Sequence, residues 1–254
     1  MLDLDIQKAD LWKRVAAWIL DGILLCVLAV GGVWALSALV DYDSYVQTVE
    51  DSYVKYENQF GVNFDITLEQ FEALPQTEKD RYQAANDALQ NDEQALHAYQ
   101  MAVSLCLVVV TFGILIAVMI LEFGLPLLLG NGATVGKKAF GLGLVRPDCI
   151  KINRMQLFTR ALIGKYTIET MIPVFLVLMM MWGMMDMTGT VIICALGIAQ
   201  VVIFFVTRNR YQIHDLLAGT VVVDIQSQKV FADMDEQIEY QKKIAAEKAA
   251  NQTY

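Results

Sequence analysis

The chain has 254 residues, 56% of them hydrophobic, with a mean hydropathy of +0.43 and a formal net charge of −9. That is too apolar for a soluble domain of this length, and the charge lies in blocks between apolar runs, as in a polytopic membrane protein. A basic nucleic-acid footprint is missing. The cysteines, Cys26, Cys106, Cys149 and Cys194, make no CxxC or Cys/His cluster, so neither a metal site nor a disulfide framework is indicated.

Residues 1–14 are a mixed-charge lead in which Trp12 serves as an interfacial anchor and Lys13-Arg14 marks the boundary. The run from Val15 to Val40 follows, 26 residues or about 39 Å of helix, enough to cross a bilayer. It is too long for the apolar core of a secretory signal, so no cleaved leader is expected. Inside it stands Asp21. A carboxylate in hydrocarbon costs roughly 2.5–3.5 kcal/mol on insertion scales, so Asp21 is expected to face protein or water. Arg14, seven residues earlier, leaves the same helix face. The small residues Ala16, Ala17, Gly22, Gly31 and Gly32 suit close contact between membrane helices.

Residues 41–100 are a polar insert with 13 acids against three bases, Lys55, Lys79 and Arg81. Thr67 followed by Gln70 matches a capping box, and residues 77–99 are rich in helix formers, which predicts two helices. The insert is too poor in core residues for an independent enzyme domain and reads as a solvated helical cap. The second span covers residues 101–129 and carries Glu122, with Gly124 and Pro126 loosening its end. Residues 130–170 form a basic loop; from 131 to 170 there are seven bases against two acids. By the positive-inside rule that loop and both termini are cytoplasmic and the insert lies outside. Residues 171–207 are too long for one span and are read as a hairpin of two, turning at Asp186; the alternative is one tilted span containing Asp186. A cytoplasmic tail, 208–254, completes the chain, and Asn251-Gln252-Thr253 there fits a glycosylation sequon only by chance.

Three stretches carry the polar signal. The first is Lys13-Arg14-Val15-Ala16-Ala17-Trp18-Ile19-Leu20-Asp21. The second runs from Gly132-Ala133-Thr134-Val135-Gly136-Lys137-Lys138 to Val145-Arg146, followed by Arg160-Ala161-Leu162. The third is His214-Asp215-Leu216-Leu217-Ala218-Gly219-Thr220. Together they resemble the RDD family of bacterial membrane proteins, named for one arginine and two aspartates. The resemblance assigns the arginine to Arg14 and the aspartates to Asp21 and Asp215. It implies a multi-helix membrane domain, with transport suggested and cation/proton exchange proposed for some members. The acidic insert and the tail lie outside it.

On physical grounds, Asp21 is either a proton or cation site or a structural partner of a base such as Arg14. Glu122 falls at a matching depth if its span descends to Leu129, where two carboxylates could share a proton or hold a cation; if the span ends at Leu121 it sits at the headgroup level instead. Asp215 is expected to pair with Arg160 or Arg14, and His214 to be merely interfacial. Gly136-Lys137 fails as a phosphate loop, because Asn131 replaces the required glycine and Lys138 the Ser or Thr; it is read as a tight turn with its lysines at anionic headgroups. The methionines at 179–181 and 184–187 are packing residues. With no catalytic constellation, an enzyme, a cofactor and a metal are not expected.

The expectation is therefore an all-α, four-span polytopic transmembrane helical bundle in the bacterial inner membrane, with a helical extramembrane insert. Its anticipated role is transport of a small monovalent cation against protons, with Asp21 as the site and Glu122 as its partner. Four spans are few for a transporter, so a homo-oligomer is anticipated. The competing expectation is a non-transporting adaptor or assembly module that binds a membrane partner through the insert or tail.

Overall fold

The computed structural model describes residue 6, residues 8–130 and residues 132–251. Residues 1–5 and 7 of the lead, Asn131 and the last two residues of the sequon, Gln252 and Thr253, lie outside the described residues. In chain order the elements are α1 (Leu11–Leu39), α2 (Tyr42–Phe60), α3 (Leu68–Glu72), α4 (Gln76–Gln90) and α5 (Glu93–Leu129). They continue with α6 (Val135–Ala139), β1 (Leu142–Val145), α7 (Arg154–Met181), α8 (Met187–Val206), α9 (Ile213–Ala218), β2 (Val221–Asp224) and α10 (Met234–Asn251). Among the described residues, α1, α5, α7 and α8 are long and apolar enough to cross a membrane, so the chain is an all-α polytopic bundle with four spans.

The chain divides into two compact units, Val30–Gly113 and the remainder, Met1–Ala29 with Ile114–Tyr254. The smaller one holds the insert. The Thr67–Gln70 capping box forms and starts α3, and Phe71 meets Tyr82 edge-on. In place of two helices the insert has α2, α3 and α4, with a break at Asn91-Asp92 before α5. Asp92 ends that break by accepting from the N–H groups of Gln94 and Ala95.

In the larger unit, α7 and α8 make a hairpin whose turn ends at Asp186, which caps α8 by accepting from the Thr188 N–H at 2.9 Å. The third span, however, starts at Arg154, and residues 154–170, assigned above to a basic loop, are helical. Hydropathy misplaced this boundary because Arg160, Lys165 and Glu169 lower the score, although inside the protein they are neutralised by partners. Two stretches of the spans are wound as π-helix, Met119–Gly124 in α5 and Arg160–Met171 in α7. Such wide turns are rare and recur at functional sites.

A small antiparallel sheet also forms, pairing Leu142 with Asp224 and Val145 with Val221. Its strands have four residues each and are almost wholly buried, so neither shows the alternation that would betray it in the sequence. Leu142, Leu144 and Val222 pack on Ala9, Ala17 and Leu157, anchoring the 130–153 segment against the start of α1.

Candidate functional site

Helix α1 reverses the usual rule for burial. Its buried residues are Arg14, Ala17 and Asp21, spaced three and four apart along one face, while Trp18, Ile19 and Ile23 are exposed. The lipid-compatible residues face outward and the charged ones face protein, as the cost of a charge in hydrocarbon requires.

Asp21 stands ten residues into α1, about 15 Å along its axis. Its carboxylate is caged by the start of α6. Oδ1 accepts from the Gly136 N–H at 2.7 Å, Oδ2 accepts from the Thr134 hydroxyl, and Lys137 Nζ lies 3.6 Å from Oδ2. Lys137 also donates to Thr134 Oγ1 at 3.1 Å. Gly136 is required by this approach: a Cβ there would come within 2.4 Å of the Ala17 carbonyl oxygen and 2.8 Å of the Asp21 carboxyl. Burial pushes the Lys137 ammonium down to about 8, against the opposing pull of Glu122 and Asp21. The reading of this segment as a turn with its lysines at lipid headgroups therefore fails for Lys137, which is buried and bound to the span.

A second set of pairs surrounds Arg160. Its guanidinium donates from Nε to Asp215 Oδ1 at 3.1 Å and from Nη1 to Glu122 Oε2 at 3.2 Å, and Nη2 lies 2.7 Å from His214 Nε2. Arginine has no acceptor, so Nε2 of His214 must accept, which puts the ring proton on Nδ1, 2.7 Å from Glu169 Oε1. Burial and then Arg160 lower the His214 pKa against the attraction of Asp215 and Glu169, consistent with a neutral ring. His214 is thus a buried connector rather than an interfacial residue. Burial works against the Asp215 carboxylate, but the permanent charges of Arg160 and Arg14 oppose it, and its pKa falls to about 2.

The π winding explains how one helix serves this cluster. On an α-helix, residues five apart lie about 140° from one another. The wider turn brings Arg160 and Lys165 to the same partner, and both hold Glu122, which itself sits in the π stretch of α5. Packing of α9 on α7 depends on Gly164, where a Cβ would lie 2.4 Å from His214 Cβ.

Arg14 donates to the Arg210 carbonyl at 2.8 Å, lies 3.9 Å from Asp215 Oδ2 and rests over the Phe204 ring. The structure therefore brings Asp215 to both Arg160 and Arg14. It places Arg14 and Asp21 on one face but gives them different partners. It also divides the two span carboxylates, Asp21 going to Lys137 and Glu122 to Arg160 and Lys165.

A family model described as the RDD family aligns with residues 8–219, most of the chain. The chain belongs to the RDD family. No curated protein and no solved structure matches it. The insert falls inside the residues the RDD model spans, while α10 falls outside them.

Sequence reasoning missed Thr134, Lys165 and Glu169 as members of this cluster, the attachment of Lys137 to Asp21, and the connecting role of His214. Thr134 carried a usable signal, since a threonine three residues before Lys137 has N-cap spacing, and it does cap α6. Four bases, Arg14, Lys137, Arg160 and Lys165, stand among four acids, Asp21, Glu122, Glu169 and Asp215. Beside them lies a cavity of about 410 Å³, its buried lining including Arg14, Asp21 and Lys137, its exposed lining Trp18, Val201 and Phe205.

Proposed function

We propose that this RDD protein exchanges a small monovalent cation for protons at the Asp21–Lys137 pair. The observation that carries the reading is that an ammonium whose pKa lies near 8 stands 3.6 Å from a buried carboxylate at the wall of a cavity. While Lys137 is protonated it occupies Asp21. When it loses its proton, a cation can take the place of the ammonium beside the Asp21 carboxylate. The site changes from Lys–NH₃⁺ with Asp⁻ to neutral Lys with cation and Asp⁻, so its net charge is constant and exchange is one for one. Glu122, suggested above as the partner of Asp21, instead belongs to the supporting cluster. The charge asymmetry of the loops supports an inner-membrane orientation with the basic side cytoplasmic, and the small number of spans supports a homo-oligomer.

The test is cation-driven proton movement in everted vesicles across pH 6.5–9. Exchange rises through about pH 8 in the wild type, and both Asp21→Asn and Lys137→Arg abolish it, the latter keeping a cation that does not titrate in this range. Equal fluxes in wild type and Asp21→Asn would sink the proposal.

A second reading is favoured by a separate observation: among the described residues every buried side-chain polar atom has a partner, and the cluster's charges match four to four. Such a closed network suits a non-transporting module whose ion pairs lock helices while the insert or tail binds a partner. It predicts reduced abundance of Asp21→Asn with flux at background in every form.

A further inference from the structure

Six of the chain's twelve methionines fall within nine residues, at 179–181, 184, 185 and 187, where α7 turns into α8. The packing role read for them above accounts for only part of this run. Met181, which ends α7, is 75% exposed, Met184 in the turn 69%, and Met187, which starts α8, 77%. Leucine would serve a helix contact or a lipid face equally well. What methionine adds is a polarisable sulfur on a flexible, unbranched chain.

The two less exposed members of the turn, Met180 and Met185, converge on one point. Gly189 is buried in the first turn of α8, and a Cβ there would stand 2.7 Å from Met180 Sδ and 3.0 Å from Met185 Sδ. Both thioethers therefore border the gap left by the missing side chain. The turn is fixed by its own bonds. Asp186 accepts from the Thr188 hydroxyl at 2.6 Å as well as from its N–H, and the Met184 N–H donates to the Met179 carbonyl at 2.9 Å. The Thr190 hydroxyl donates to Met180 Sδ at 3.8 Å, which uses one of that sulfur's two lone pairs and leaves the other.

We infer that this turn binds one soft monovalent metal ion, Cu(I), between the sulfurs of Met180 and Met185, with an exposed methionine of the same turn as third donor. Thioether sulfur is a neutral, soft ligand, which favours Cu(I) and disfavours magnesium and calcium, whose preferred donors are oxygens. Bonds from sulfur to a first-row metal run about 2.3 Å, so small torsions of two flexible side chains seat both sulfurs on one ion over Gly189. The site lies at the opposite end of α7 and α8 from Arg154 and Val206. It is separate from the exchange proposed at Asp21 and Lys137, and its readout is a bound ion rather than a flux.

The experiment titrates Cu(I) anaerobically against bicinchoninate, using full-length detergent-purified protein whose thiols are blocked with N-ethylmaleimide. The expected result is one Cu(I) per chain with sulfur-only scattering at the copper edge. Affinity stays flat from about pH 7.5 to about pH 5.5, because a thioether has no proton to displace, whereas thiolate and imidazole sites weaken as pH falls. Met180→Leu combined with Met185→Leu keeps the apolar volume, so the thermal midpoint is retained while saturable binding is lost. Gly189→Ala pushes the two sulfurs apart and weakens binding. Retention of Cu(I) by the double leucine variant overturns the inference. So does a copper site with nitrogen ligands, an affinity that falls with pH, or a wild type without saturable binding.

Discussion

The two units of this protein use charge in opposite ways. In the insert, acids outnumber bases 13 to three across residues 41–100, and a pair such as Lys55–Asp92 sits in the open, the lysine side chain 58% exposed. Around Arg160 the bases match the acids one for one, and both partners of the Arg160–Glu122 pair are 1% exposed. Water already satisfies the first kind of pair, so joining it gains little. The second kind has no alternative partner, so removing one member strands the other. A charge contributes to this fold in proportion to what would replace its partner, rather than to the strength of the pair itself.

The largest expected effect follows from Arg160→Leu, which leaves Glu122 and Asp215 without their shared guanidinium. About 3–5 kcal/mol of stability should be lost, read as unfolding of the detergent-purified protein. Arg160→Lys should recover only part of it, since an ammonium cannot reproduce the three-way fork. If Arg160→Leu unfolds like wild type, the contrast between the units fails.

Next are Gly136→Ala and Gly164→Ala, each driving a methyl group into backbone or side-chain atoms within 2.4 Å. Overpacking of this kind costs about 1–3 kcal/mol. Thermal unfolding checks it, and Gly61→Ala in the insert, where no atom lies within 4 Å, provides a control for backbone strain without a clash.

A smaller effect is graded by pH. The folded protein holds His214 below its ordinary pKa, so the unfolded chain takes up its proton first as pH falls. The His214 contribution is full above about pH 6.5 and declines below it, by at most about 1.4 kcal/mol per pH unit. His214→Gln should flatten the unfolding midpoint between about pH 6.5 and pH 5.5. Lys137 acts in the same direction at alkaline pH: its folded pKa of about 8 lies below the unfolded value, so stability rises as pH climbs from about 8 toward 10. The smallest effect belongs to the insert. Lys55 and Tyr56 hold Asp92 below the usual carboxylate range, yet Lys55→Ala should leave the unfolding midpoint within error. A large loss there would erase the distinction.

Much of this architecture was legible from hydropathy and charge, for particular reasons. Asp21 announced its burial because a carboxylate inside an apolar run has nowhere else to go. Arg160 and Asp215 were legible as interface charges needing partners, and Thr67 with Gln70 as a local cap. Lys137 was not, since a lysine beside a glycine-rich turn reads as solvated unless one knows that Asp21 lies across from it, 116 positions away in the sequence. The start of α7 was hidden because hydropathy scores Arg160, Lys165 and Glu169 singly and cannot see that each is neutralised. The strands were hidden by their shortness, and the π turns because no residue pattern distinguishes them from α-helix.

A helix that has taken in extra residues is a splice, with the lengths before and after it out of phase by about 100° for each one. Arg160–Met171 is such a splice in the third span. Excising residues there would shift the two lengths relative to each other and rotate either Arg160 or Lys165 off Glu122, even with every charged side chain still present. Chimeras that graft an ordinary span onto this domain must therefore preserve the residue count between Arg160 and Pro173 as strictly as the charges themselves.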